Sequence, residues 1–250
     1  MSDWELALLA LAGVVSGWLN VVAGGGSLLT VPLMVFMGLP GPVANGTNRI
    51  AILLQNITAV ATFRQRGFSD FRLSLTLSAA ASVGALFGAL VGVRLEGEWF
   101  DRVVALIMLG VMLLMWRDKR SAEHAAQAAG EQPRRLLAGH LLMVGAGFWG
   151  GFIQLGVGFI LMPILHRVMG LNLVLTNMHK VFIITAYTVV ALVVFASQVQ
   201  LMWWVGAWLA LGNAIGGWLG AHSSVTHGDA WIRRMLNLTL VAFIIKLLFF

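Results

Sequence analysis

Two cationic side chains stand where a charged group is costly. Arg49 closes the run VANGTNR and Lys180 closes the run LTNMHK, each about eight residues inside a long apolar stretch, or about 12 Å deep at 1.5 Å per helical residue. A guanidinium presents a planar fork of donors matched to oxyanions, and an ammonium is a compact point charge. Together they suit a polyatomic anion. Thr47, Asn48 and His179 are their polar neighbours in sequence, with Asn20 and Gln154 as second-rank contributors. The ten acidic residues, Asp3, Glu5, Asp70, Glu96, Glu98, Asp101, Asp118, Glu123, Glu131 and Asp229, all fall at termini or in loops. No carboxylate is therefore expected inside an apolar segment to neutralise either cation, and an unpaired buried charge is strongly unfavourable. A bound anion would supply the missing charge, helped by the free N–H groups of helix N-termini. The competing expectation is that both cations bond backbone carbonyls of broken helices or snorkel to an interface.

Glycine marks the places where backbone could approach such a ligand. Gly24, Gly25 and Gly26 lie in AGGGS, and Gly156 lies in QLGVG, which runs from Gln154 to Gly158. Each loop precedes a short apolar segment with a proline near its end, the pattern of discontinuous elements that line sites in inverted-repeat transporters.

The elements that must position these residues are membrane helices. Of 250 residues 59% are hydrophobic and 10% charged, and the mean hydropathy is +0.88, where a soluble domain would be about one-quarter charged. The chain is expected to be all-α and polytopic, with ten apolar segments at 4–22, 27–38, 41–63, 72–94, 99–116, 136–153, 158–169, 172–196, 201–221 and 231–250. Segments 27–38 and 158–169 are too short to cross the hydrocarbon upright, so each is broken, shifted or re-entrant. The only long polar stretch, 117–135, divides a first five-segment repeat (1–116) from a second (136–250). No basic leader precedes the first apolar run, so no cleavable signal is expected. The absence of cysteine excludes disulfides and thiolate chemistry. The net charge of +6 is carried between apolar runs. It therefore points to orientation in a lipid bilayer and not to nucleic acid.

Trp18 and Trp149, Gly25 and Gly156, Pro32 and Pro163, and Arg49 and Lys180 are all separated by 131 positions, so the halves are read as a duplication. Further along, GxxxGxxxG recurs at Gly84, Gly88, Gly92 and at Gly212, Gly216, Gly220; these are packing faces. An odd number of segments per repeat inverts the second copy. Placing the 3–4, 5–6, 7–8 and 9–10 loops on one side gathers eleven basic residues there, against Arg94 and Arg102 on the other. That side, with the 117–135 linker, is then cytoplasmic.

The run GWLNVVAGGGSLLTVPLMVFMGLPGPVANGTNR, a following Phe-Arg-x-Arg-Gly-x-x-Asp stretch and the His179–Lys180 pair resemble the sulfite exporter TauE/SafE family across essentially the whole chain. The resemblance implies a transporter in the bacterial cytoplasmic membrane for sulfite, a sulfonate or a related organosulfur anion; the residues alone imply only an anion. QLGVG has fewer glycines than its counterpart. The chain has no HExxH-like or nucleophile–base constellation at membrane depth, so neither an enzyme, a metal site nor a cofactor is expected. A passive anion channel or an accessory membrane subunit is the alternative function. Two drives fit a transporter: proton coupling through His179, or the membrane potential, at about 2.3 kcal/mol per charge per 100 mV. Oligomeric state is not legible.

Overall fold

A computed structural model describes residues 3–100, 102–106, 110 and 135–249, and among these the chain is helical without strands. The helices are α1 (Asp3–Val22), α2 (Ser27–Phe36), α3 (Gly41–Gln65) and α4 (Phe71–Gly92). Helical residues at 97–100 and 102–106 form α5. There follow α6 (Leu136–Phe152), α7 (Val157–Pro163, continued as a π-helical turn over Ile164–Val168), α8 (Leu173–Gln198) and α9 (Trp203–Phe249). Most of the expected fifth segment, 99–116, and nearly all of the linker, 117–135, lie outside the described residues.

Three helices, Trp4–Val22, Phe71–Gly92 and Leu173–Gln198, are long and apolar enough to cross a membrane. Large hydrophobic side chains such as Leu11, Phe87, Leu141, Val193 and Leu211 are exposed around the outside, whereas asparagines, glutamines and both deep cations are buried. Apolar groups outside and polar groups inside is the distribution a lipid solvent imposes.

The expected helices at 201–221 and 231–250 are the two arms of α9, which meet at a kink. Its first arm continues through His222 to His227, with Ser223 and Ser224 hydroxyls returning to the Leu219 and Gly220 carbonyls. The break falls at Gly228, whose φ of 71° and ψ of −168° no β-carbon favours. Polar composition had suggested a loop from 222 onward. Serine back-bonding lets a helix carry such residues. The break lets Asp229 accept the Leu173 and Val174 N–H groups at 2.8 and 3.1 Å, capping α8.

α1 runs beside the first arm of α9 in the same direction: Gly212 abuts Ala10, Gly216 abuts Val14 and Gly220 abuts Trp18 and Val21. α4 and α6 make the corresponding pair. A β-carbon on Gly84, Gly88 or Gly92 would strike the carbonyls of Val144, Phe148 and Phe152, and one on Gly147 or Gly151 those of Ala81 and Ala85. Both GxxxGxxxG runs are thus helix-packing faces. α3 packs against α9 and α8, and α8 against α4.

These contacts sort the loops between two ends. At one end Arg66 meets His222 at 2.7 Å, Asp229 caps α8, and Phe63, Leu173 and Ile232 share a buried cluster. Met169 lies on Gly139 in the first turn of α6. At the other end Gly41 lies on Phe100, Gly46 on Leu201, and the Met202 N–H bonds the Thr47 hydroxyl at 3.2 Å. The first end carries Arg64, Arg66, Arg72, Arg135, Arg167, Arg233 and Arg234; the second carries Arg94 and Arg102 with Glu96 and Glu98.

Because α4 and α6 touch backbone to backbone, Gly88→Ala forces them apart at a cost of about 1–3 kcal/mol. Gly145→Ala, on the same pair but with open space at its β-carbon, is expected to be neutral or slightly stabilising through helix propensity. Thermal unfolding of the two detergent-solubilised variants checks this, and equal midpoints would contradict the packing.

Candidate functional site

α6 enters from the basic end and stops at Phe152, inside the molecule. α7 and its π turn lead back until Met169 reaches the start of α6. In the other half Gly26, at the start of α2, packs on Ser16 and Asn20 of α1, and α2 leads back toward α3. Two helical hairpins thus enter from opposite ends and turn within the protein. Pro32 and Pro163 both fall inside the returning helices, where the missing N–H loosens the α-helical ladder.

The turns meet. Gly24 (φ 90°) and Gly158 touch through their backbones, so neither position has room for a β-carbon. The Ser27 hydroxyl donates to the Gln154 carbonyl at 3.3 Å. Gln154 itself has φ 64°, alone among the described non-glycine residues in the left-handed region. Such a conformation costs on the order of 1–2 kcal/mol in a residue with a β-carbon and persists where surroundings over-determine it. The turn is held by Trp149 Nε1, which donates to the Leu155 carbonyl at 2.9 Å.

A helix that ends inside an apolar medium leaves its last four carbonyls in need of donors. In α6 all four are accounted for. The Trp149 carbonyl accepts the N–H groups of Ile153 and Gln154. The Gly150 carbonyl accepts Arg49 Nη1 at 2.9 Å, and that of Gly151 accepts Arg49 Nη2. The Phe152 carbonyl accepts Asn45 Nδ2 at 3.0 Å. In α1 the Leu19 carbonyl accepts Ala23 and Gly24 N–H, and the Val21 carbonyl accepts Lys180 Nζ at 2.7 Å. Each half of the chain therefore caps the broken helix of the other with its own buried cation.

Both cations are fully buried. Arg49 lies over the Phe195 ring, 4.4 Å from its centroid, and Nη1 also reaches Gln154 Oε1 at 3.4 Å. Lys180 Nζ donates to Asn177 Oδ1 at 2.8 Å. The sequence had left an anion and broken-helix carbonyls as rival partners for these groups. The structure supplies the carbonyls. A carbonyl end is nonetheless only a partial charge, about half an elementary charge for a whole helix terminus. Hydrogen bonding to such groups does not neutralise a cation, and no Asp or Glu is buried among the described residues.

The other expected site residues divide. Gln154 and Gly156 (φ 65°) form the turn at Arg49, and Gly24 and Gly26 the turn beyond Val21; Gly25 joins them in sequence. Asn48 lies on α3 next to Arg49, its Oδ1 bonded by the Thr30 hydroxyl at 2.8 Å and its Nδ2 without a partner. Arg49 Nε and Gln154 Nε2 likewise lack hydrogen-bond partners. Thr47 bonds the start of α9, Asn20 bonds Gln55 at 3.4 Å, and His179 bonds the Ser74 hydroxyl at 2.9 Å. Asn45 and Asn177, which cap Phe152 and hold Lys180, were not among the expected site residues. They stand four and three residues before a deep cation, the signal that could have singled them out, although the offset of 131 matches Asn45 to Thr176 and Asn177 to Gly46.

The family described as "Sulfite exporter TauE/SafE" matches residues 9–247. A "Probable membrane transporter protein ORF9" of a Sinorhizobium species is 25% identical over 243 residues, covering 97% of this chain and 92% of that protein. A "Probable membrane transporter protein" of Haemophilus influenzae is 26% identical over 232 residues, covering 92% and 89%. "Probable membrane transporter protein YfcA" of Escherichia coli K12 is 23% identical over 253 residues, covering 100% and 91%. No solved structure matches.

Capping by cations has a direct stability consequence. Arg49→Met strands the Gly150 and Gly151 carbonyls and Lys180→Met strands that of Val21, at about 1–3 kcal/mol for each carbonyl left without a donor. Unfolding midpoints in detergent should fall in both, further for Arg49→Met. Unchanged midpoints would mean that other donors reach those helix ends.

Proposed function

The chain belongs to the sulfite exporter TauE/SafE family, and from that premise we propose that this multi-pass membrane protein is a secondary transporter, an exporter, of a small anion. Sulfite, a sulfonate or a related organosulfur anion is the substrate class. The carrying observation is that Arg49 and Lys180 are wholly buried with carbonyl and amide partners only, in an interior where the described residues include no buried carboxylate. An anion arriving there meets two incompletely neutralised charges and unused donors on Asn48, Arg49 and Gln154. Glycine loops beside the cations let backbone come close to it.

The transport reading takes the halves as inverted repeats, 1–116 and 136–250, and has the two hairpins exchange access around their contact. Matched pairings support it: α1 with α9 and α6 with α4, α3 with α9 and α8 with α4. So does the crossed capping. The anion competes with helix-end carbonyls for the same cations, and a hairpin whose cap is drawn away is freer to move. His179, the one buried histidine among the described residues, is where a coupled proton would bind; potential-driven export needs none. The basic end is assigned to the cytoplasm of a bacterial inner membrane by its positive charge.

Two isosteric changes separate anion binding from helix capping. Gln154→Glu and Asn177→Asp place a carboxylate within reach of Arg49 and Lys180 without removing either cation. Unfolding midpoints should hold, while binding and proteoliposome counterflow of sulfite, thiosulfate or taurine-like sulfonates should fall by about one to two decades, the weight of a charge-assisted contact of about 1.5–3 kcal/mol. Wild-type affinity in both variants would end the anion-site reading. Orientation has its own check: a cysteine at Ala126 should stay unlabelled by an impermeant thiol reagent in intact cells, and labelling would reverse the assignment.

A further inference from the structure

On the outside of the helices that carry the two cations lies a groove whose lining shares no residue with the candidate anion site. It has a volume of about 790 Å³ and is formed by Ile57, Val60 and Arg64 of α3, Phe71 and Leu75 of α4, and Phe182 of α8. The α3 residues are spaced three and four apart, so they make one stripe on the face opposite the buried Asn48, Ile52 and Gln55. Toward α8 the groove reaches Ala186, thirteen residues from the start of that helix, or about 20 Å from the basic end.

Its chemistry changes along its length. The deep part is aliphatic and aromatic. Its hydroxyl, on Thr185, is turned inward to the Val181 carbonyl at 2.7 Å. The mouth at the basic end carries Arg64, whose guanidinium lies 5.7 Å from the centroid of the Phe71 ring and makes no ion pair among the described residues. Arg72 follows Phe71 and is exposed. The nearest carboxylate in sequence, Asp70, accepts the Leu73 N–H as the cap of α4.

We propose that this groove binds an anionic phospholipid, with its phosphate on Arg64 at the basic end and an acyl chain lying between α3, α4 and α8. A hydrated sulfur oxyanion does not fit an apolar cleft, so the groove is not a second substrate path. A lipid tail needs no polar partner along that depth, and a phosphodiester at its head needs the donors that Arg64 holds free. Basic pockets between helices at the cytoplasmic surface recognise anionic head groups on the same grounds. The bound lipid would rest against both cation-bearing helices.

Native mass spectrometry of the intact, delipidated protein titrated with phosphatidylglycerol or phosphatidylcholine tests this. Wild-type protein should retain phosphatidylglycerol at least tenfold more strongly than phosphatidylcholine. Arg64→Gln should remove that preference, and Ala186→Phe, which fills the deep end, should weaken retention of both lipids. Equal retention of the two lipids by wild-type protein would overturn the proposal, as would an Arg64→Gln variant with undiminished preference. So would efficient disulfide cross-linking of Ala61→Cys between two chains at the expense of lipid, which would make the groove a contact between copies. Sulfite binding by Arg64→Gln should stay at the wild-type level, so this result and the fate of the anion site are read separately.

Discussion

Helix ends cannot be left bare inside an apolar solvent, and this architecture follows from how two such ends are covered. α1 and α6 each stop within the protein, where their terminal carbonyls lie among buried residues and need donors. Arg49 takes two carbonyls of α6 and Lys180 takes one of α1. The exchange is crossed, the first half serving the second and the reverse. Each hairpin takes a helix-end donor from the other half. The Gly24–Gly158 contact and the Ser27–Gln154 bond then become possible, because both turns have been brought to the same place.

Glycine makes that closeness steric as well as electrostatic. Where α4 meets α6 and where α1 meets α9, carbonyl oxygens stand in the positions that β-carbons would occupy. Helices in lipid gain little from burying apolar surface against one another, since lipid tails are as apolar as leucine. Close backbone approach and the dispersion it brings do more of the work. The two helical hairpins lie in a frame built this way, which fixes α3 and α8, and with them Arg49 and Lys180, relative to the carbonyls they cap.

In the proposed function, capping and anion recognition would draw on the same donors, and they could coexist because hydrogen bonding is not the same as charge neutralisation. Carbonyl and amide oxygens satisfy N–H geometry but carry fractional charge, so their hydrogen bonds alone would not neutralise a protonated Arg49 or Lys180. A carboxylate at either place would neutralise the site. Asn177 and Gln154, the neutral isosteres of Asp and Glu, occupy those positions instead.

Composition, hydropathy and the offset of 131 were sufficient for the class of molecule. Composition and hydropathy also gave the two short helices, and the recurring GxxxGxxxG gave the glycine packing faces, because a lipid solvent acts on residue type directly. A break between 221 and 231 was legible but not its place at Gly228: serines can close their hydroxyls onto the preceding turn, so a polar run does not by itself end a helix. What touched the cations was also decided in three dimensions. Gly150, Gly151 and Val21 carry no side-chain signal for accepting a proton donor, since the acceptor is backbone that every residue has. Only the depth at which α1 and α6 stop turns those carbonyls toward Arg49 and Lys180, and that depth is a property of the packed hairpins, not of any residue in them.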